Sequence, residues 1–463
     1  MVKGAGEATA AGADAVRLTA HHECCLENGS PALLDALRAA LTIDNPRYQD
    51  AKRFGRWIGK KLKPQLFFFR EEKGRFFFPR GFGNRAVRLC RQHGGVSPQL
   101  VDERRLLPPI DLAFQGALRP YQETAVAAVL AHSFGVLEAS TGSGKTVMAL
   151  AVLARRSQPT LVLVHTRELM QQWRERIRQF LGIEAGQAGD GKVELQPVTV
   201  AIVNTARKHL NTLVPLFGQL VVDECHRVPA SLFTEVVAAF DCHYMLGLSA
   251  TAFRREDGMT RLIHISMGDR VHAVDGRMLE ASGAVVRPVL EQRPTAFVRN
   301  FQGEYARLIK ALAEDSRRNR QIATDVAALV HRGHQGTVLV VSDRVAHCQA
   351  LADLLVADGV AAAVLTGQST PDQRLQVVEA VQAGRVPVLV ATLQLIGEGF
   401  DCPGLSTLVL ATPIRFEGRL LQVVGRIMRP AEGKKALVID YVDVGIPVLG
   451  RSAAARREVF AAW

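Results

Sequence analysis

The chain reads as an α/β protein: two tandem parallel-sheet domains behind a small basic α+β N-terminal domain. Three observations predict this. From residue 112 onward, short apolar runs alternate with helical segments, and strands buried on both faces and separated by helices pair in parallel. A glycine-rich turn, Ala139-Ser-Thr-Gly-Ser-Gly-Lys-Thr146, follows the first of those runs and opens a helical pattern. Fourteen Lys and Arg against three acids crowd residues 45–91, so almost all of the formal charge of +12 belongs to one N-terminal segment. At 463 residues the chain is too long for one core, given roughly 100–200 residues per domain. The expected division is a disordered tail (1–28), a basic accessory domain (29–110), a first sheet domain (111–292) and a second (293–463).

Taken in order, the tail has no hydrophobic block of a secretory signal, and no apolar run in the chain reaches the ~18 residues of a membrane span. Seven cysteines show no C-x-x-C pair and no zinc spacing, which reads as reduced thiols in a cytoplasmic compartment. Cys24-Cys25 beside His21-His22 reads as structural, because adjacent cysteines chelate badly. Ser30-Pro31 is an N-cap with proline at the first helical position, and Leu33, Leu34, Leu37 and Leu41 recur at helical spacing.

Residues 45–61 interleave Arg47, Arg53, Arg56, Lys60 and Lys61 with Tyr48, Phe54 and Trp57. Rings can stack on bases while cations meet phosphates, so the segment is a candidate nucleic-acid contact. Two triple-Phe runs, 65–70 and 75–79, flank Glu-Glu-Lys-Gly and read as a hairpin turning near Gly74. Their rings suit a small core better than an exposed stacking platform. Arg80, Arg85, Arg88 and Arg91 continue the basic character, with Arg80 among the candidate contacts, and Leu106-Leu-Pro-Pro109 reads as a linker.

Strands of the first sheet domain are expected at 134–137, 160–164, 198–202, 220–222 and 245–248. Those of the second are expected at 337–341, 362–365, 386–391, 407–411 and 436–439. The polar connector 287–300, with Pro288 and Pro294, is the expected hinge. A helical pattern over 451–463 is expected to pack on the second sheet domain.

The chemistry begins at the glycine-rich turn. Gly142 and Gly144 leave no Cβ in the way, so backbone N–H groups of residues 140–144 (Ser140, Thr141, Gly142, Ser143, Gly144) can converge on a phosphate. Lys145 neutralises β- and γ-phosphate oxygens, and Thr146 offers its hydroxyl to Mg²⁺. Ala139 at the first position loosens the match to the motif. About eighty residues later, Asp223 and Glu224 close an apolar strand. There Asp223 can hold Mg²⁺ through its water shell, and Glu224 can orient and deprotonate the attacking water. ATP and Mg²⁺ are the implied ligands.

From Leu118 to Pro430 the chain resembles the superfamily 2 helicases and translocases, closest in character to XPB-like and phage branch-migration helicases. In Leu118-Arg-Pro-Tyr-Gln122 the resemblance implies that Gln122 reads the adenine edge with Arg119 nearby. Asp223-Glu-Cys-His226 is similar to the DEAD/DEAH signature. Ser249-Ala-Thr251 is similar to the motif coupling hydrolysis to domain movement, and Arg255-Glu-Asp-Gly258 resembles a segment of XPB-like enzymes. Leu161-Val-Leu-Val-His-Thr-Arg167 with Gln172-Trp173 is similar to the strand-tracking motif, which implies that His165 and Arg167 lie along the nucleic-acid path.

In the second domain, Ala391-Thr392 and Gly397-Glu-Gly-Phe-Asp401 resemble the motif that touches both backbone and nucleotide. This assigns Thr392 to the strand and Gly399 and Asp401 to the nucleotide. Gln422-Val-Val-Gly-Arg-Ile-Met-Arg429 resembles Q-x-x-G-R-x-x-R, which implies catalytic roles for Gln422, Arg426 and Arg429. Both sheet domains are then RecA-like. The resemblance implies an ATP-dependent DNA helicase or translocase acting on branched DNA in repair or recombination, with DNA favoured over RNA and no membrane partner. The competing readings are a duplex translocase subunit of a restriction or defence system, an RNA helicase, and a nucleotide-gated binding protein without turnover.

Overall fold

The structure is a computed structural model. It describes residues 15–463 apart from 54–56, 58, 60–61, 96, 141, 227–229, 251–259, 275, 301–303, 398–403, 416, 431–433 and 462–463. Two compact units emerge: Met1–Glu138 with Thr146–Ala273, and Ala139–Lys145 with Val274–Trp463.

The first unit carries two sheets of unlike character. In the N-terminal one the strand order is Arg70–Glu72, Arg75–Pro79, Glu23–Glu27, Arg17–Ala20, Gln99–Asp102, antiparallel except for the last pair. Residues 17–27 are therefore a hairpin within the sheet and not a tail. Leu18, Cys24 and Leu26 point inward at 4%, 2% and 1% exposure, a period-2 pattern too short and too interleaved with polar residues to stand out. Helix Pro31–Ala40 starts where expected, with the Ser30 hydroxyl accepting the Leu33 N–H at 3.3 Å. The expected hairpin turns at Lys73-Gly74, both at positive φ. Its first arm is split, because Gln65–Phe67 pairs instead with Thr42–Asp44. Phe76, Phe78 and Phe82 join Leu33, Leu37 and Cys90 in the core of this domain.

One candidate nucleic-acid residue is corrected here. Arg80 is 3% exposed, and its guanidinium donates to the Cys242 carbonyl of the neighbouring parallel-sheet domain. A cation consumed in an internal contact cannot meet a phosphate. Its neighbour Gly81 packs closely on the same neighbouring domain, since a Cβ there would lie 2.5 Å from the Ser266 backbone.

The parallel sheet of the first unit has the order Lys192–Glu194, Gly186–Gly189, Val198–Ile202, Thr160–Val164, Gln219–Val222, Tyr244–Ser249, Phe134–Ala139, Arg270–Val274. Its five central strands pair in parallel and match the expected ones to within two residues at each end. The three additional strands are short edge pieces, polar or glycine-rich, that lack a fully apolar run.

In the second unit the order is Val289–Pro294, Leu437–Val442, Leu405–Leu410, Thr337–Ser342, Val388–Thr392, Ala362–Leu365, all parallel. The expected hinge is thus partly a strand: Val289 to Pro294 pair with Leu437 to Val442 in unbroken register. An edge strand keeps a solvated polar face and accepts proline at its ends, so it mimics a linker. Helix Pro447–Ala461 is held by the ion pair of Arg456 with buried Asp440, 2.8 Å. Helix Ser316–His331 is held by Arg318 with Asp443, also 2.8 Å with both side chains fully buried.

His347 is buried between the Ser342 hydroxyl (2.9 Å) and the Asn319 side-chain Oδ1 (2.8 Å). Burial, reinforced by Arg318, pushes its pKa down to about 3, so the ring stays neutral, donating from Nε2 and accepting at Nδ1.

Two outcomes follow from this packing. Arg80→Met should destabilise the protein by about 2 kcal/mol, while leaving nucleic-acid affinity and its salt dependence at parent values; thermal melting and a salt titration of binding check both. For His347 the folded pKa lies below the unfolded one, so the unfolded chain alone takes up a proton as pH falls from 6.5 towards 3. The second domain should therefore lose stability across that window by up to about 1.4 kcal/mol per pH unit, and His347→Gln should flatten the slope in urea melts.

Candidate nucleotide and nucleic-acid site

Parallel strands deliver their polar residues at their carboxyl ends. Phe134–Ala139 runs into the glycine-rich turn, and helix Lys145–Arg156 begins with Lys145 and Thr146. Gly142 and Gly144 take φ of +88° and +79°, the left-handed region that turns successive N–H groups towards one point. Ser143 N–H donates to Ser140 O at 3.1 Å and closes the turn. Thr141 lies outside the described residues. Gln122 is buried in the first turn of helix Pro120–Leu130, where its Oε1 accepts the exposed Arg119's N–H at 2.9 Å.

Two strands away, Gln219–Val222 ends at Asp223, which is 7% exposed. Both of its carboxylate oxygens are held: Trp173 Nε1–H donates to Oδ2 at 2.8 Å and Glu224 N–H donates to Oδ1 at 2.9 Å. Glu224 stands in the left-handed region at φ +46°, a strained setting for a non-glycine residue. His165 Nε2–H donates to its carbonyl at 3.1 Å. On its side chain, His226 Nδ1 lies 3.3 Å from Oε2 and 2.8 Å from the Ser249 hydroxyl. His226 therefore links the acidic pair to the end of strand Tyr244–Ser249. Cys225, between them, is fully buried in the sheet core.

These residues suit a magnesium nucleotide. Carboxylate and hydroxyl oxygens are the hard ligands Mg²⁺ takes, and a left-handed glycine pair is a cradle for phosphate.

In the second unit, Thr392 ends strand Val388–Thr392 at 8% exposure. Gln422 is buried in helix Glu417–Val424, and Arg429 is half-buried just beyond it. Arg426 Nε–H donates to Ile396 O at 3.2 Å, which ties this arginine segment to the turn after Thr392. Gly399 and Asp401 lie outside the described residues, as do Thr251 and 255–258.

Residues 115–254 match the family described as type III restriction enzyme, res subunit, and residues 321–431 match the helicase conserved C-terminal domain. The chain is 28% identical over 376 residues to helicase D10 of Escherichia phage T5, covering 79% of this chain and 80% of that protein. It is 25% identical over 372 residues to the DNA 3'-5' translocase XPB2 of Sulfurisphaera tokodaii, covering 71% and 82%. The chain belongs to the superfamily 2 helicases. In fold it is similar to S. cerevisiae Dbp5 bound to RNA and ADP BeF3, with TM-score 0.54, 16% identity, and 74% of this chain and 87% of that one covered.

A superfamily 2 helicase is a nucleic-acid-dependent ATPase with two RecA-like domains, and both parallel sheets here are of that kind. Of the candidate strand contacts, His165 is occupied with the Glu224 carbonyl, while Arg167 is exposed and ion-paired with Asp190 at 2.9 Å. Trp57 is 90% exposed. Arg53 ends helix Pro46–Arg53, and Arg56, Lys60 and Lys61 lie outside the described residues.

Two residues escaped the sequence reading. Trp173 reads as part of the segment similar to the strand-tracking motif, yet it shares the buried helix face of Met170, Ile177 and Leu181. A buried indole N–H needs an acceptor, which was the available signal. His226 carried no signal of its own beyond its place in the tetrad. Because Cys225 is a small side chain fully buried in the sheet core, Cys225→Ala should keep parental ATPase activity and cost no more than about 1.5 kcal/mol in a denaturant melt.

Proposed function

We propose that this helicase acts on DNA, moving along or remodelling branched structures in repair or recombination. The observation that carries the ATPase half of the reading is the Asp223–Glu224 pair, with one carboxylate held by two N–H donors and the other beside His226. In the reaction, Lys145 and the N–H groups of the glycine turn bind the phosphates. Thr146 and, through water, Asp223 would hold Mg²⁺, which would supply positive charge against the phosphates. Glu224 orients the attacking water and accepts its proton, while His226 fixes the carboxylate. Arg426 and Arg429 supply positive charge to the γ-phosphoryl in the hydrolysing state, a contribution worth roughly 10³–10⁵ in rate. Hydrolysis removes those γ-phosphate contacts, and the nucleotide state thereby governs how the two domains grip the strand.

DNA is favoured over RNA on two grounds. Relatives of this chain are named DNA 3'-5' translocase and DNA 3'-5' helicase, and the N-terminal segment 45–91 concentrates the basic charge ahead of the motor. Backbone contacts of this kind tolerate sequence and weaken with salt. A second reading, a duplex translocase that slides without parting strands, draws on the restriction-enzyme family match of the first domain.

Lys145→Ala should abolish turnover, and Glu224→Gln should lower it at least 100-fold while ATP still binds, measured by phosphate release and nucleotide binding. Parental hydrolysis by the Glu224 variant rejects the base assignment. ATPase stimulation should be stronger with forked or four-way DNA than with RNA. Strand displacement on the forks supports unwinding; stimulation without displacement on any substrate supports the sliding motor.

A further inference from the structure

Trp173 joins two parts of the motor that act on different ligands. It lies on helix Arg167–Leu181, whose N-terminal turn carries the exposed Arg167 and is capped by the Thr166 hydroxyl accepting from Leu169 N–H at 3.3 Å. Six residues on, about 9 Å along the axis, the Trp173 ring is 1% exposed and its N–H reaches Asp223 Oδ2 at 2.8 Å. An indole nitrogen only donates, so this bond fixes both the ring and the carboxylate. With Glu224 N–H on Oδ1 at 2.9 Å, the carboxylate plane is set from both sides. Groups that orient a metal-ligating carboxylate typically change metal affinity 10- to 100-fold when removed.

We infer that Trp173 is a positioning residue for magnesium at Asp223, and that it passes the state of the strand-binding helix to the metal. A helix is a stiff body. Phosphates that draw Arg167 from Asp190, its present partner at 2.9 Å, act on the same helix that holds the carboxylate. Strand binding thereby alters the geometry of Asp223 through one hydrogen bond. The inference rests on the nucleotide site proposed above, and it assigns a specific route by which nucleic acid stimulates hydrolysis.

The test uses the full chain with Trp57→Phe and Trp463→Phe, leaving Trp173 as the sole indole of the three. Its emission is followed while Mg²⁺ is titrated in the presence of ADP, with and without a DNA oligonucleotide. The emission should change with Mg²⁺, and DNA should lower the midpoint several-fold. In the otherwise native chain, Trp173→Phe should raise the Mg²⁺ concentration for half-maximal ATPase about 10-fold and remove the effect of DNA on it. Trp173→His keeps a ring N–H at the same number of bonds from Cβ and should restore much of the DNA effect at pH 8, although it leaves a larger void than Phe. A role in packing alone gives the opposite order, with His worse than Phe. The inference is overturned by that order, by a Phe variant with parental Mg²⁺ dependence and DNA response, or by an emission midpoint that ignores DNA. Because the emission experiment keeps Trp173, poor folding of the Phe variant does not block it. Failure of the nucleotide site itself shows separately, as undiminished ATPase in Lys145→Ala.

Discussion

A strand buried on both faces has no room for an unsatisfied charge, and the rest of this molecule follows from that constraint. In strands Thr160–Val164 and Gln219–Val222 every residue is buried, so polar chemistry can begin only where the chain leaves the sheet. Asp223 is the first residue past that limit, and it still sits at 7% exposure. A carboxylate held there is costly unless its oxygens are engaged. The Trp173 and Glu224 N–H groups meet that demand, and in doing so they give the carboxylate one orientation. Stability and function thus ask for the same two hydrogen bonds. The strain at Glu224, with φ +46°, belongs to the same corner, where the chain must turn sharply to bring a second acid beside His226.

The N-terminal domain uses its charge in two ways that composition does not separate. Some of its arginines are consumed internally: Arg80 on the Cys242 carbonyl, Arg70 with Glu23, Arg38 with Glu71. Arg88 pairs with Asp269 and Arg104 with Asp102 along the same unit. The exposed Trp57 lies in the stretch proposed for nucleic acid. The second parallel-sheet domain shows the same economy of charge. There Arg318–Asp443 and Arg456–Asp440 lie wholly inside and fasten two helices to strand Leu437–Val442 and the residue that follows it. Their geometry, with added hydrogen bonds from Arg318 to Ala411 O and from Thr295 to Asp443, is what makes such burial tolerable.

Most central strands and the nucleotide motifs were legible because their signals are local. A run such as Thr-Leu-Val-Leu-Val has few other places to go, and Gly142, Gly144, Lys145 and Thr146 lie within five consecutive positions. Features that depend on a partner distant in the chain were not legible. The strand Val289–Pro294 reads as linker until Leu437–Val442 lies beside it, and residues 17–27 read as tail until Phe76 and Phe78 cover them. Arg80 reads as surface charge until Cys242 arrives 162 positions later.

The amino-acid order by itself determined the α/β class, the two parallel sheets, the phosphate turn, the acidic pair and the family, because periodicity, glycine placement and motif order are properties of contiguous segments. Tertiary structure alone decided which arginines are spent inside, which polar segments are strands, and that the Asp223 carboxylate hangs from the indole of Trp173. Those outcomes turn on which buried donor finds which acceptor. Partners fifty or more positions apart are matched only when the chain has folded.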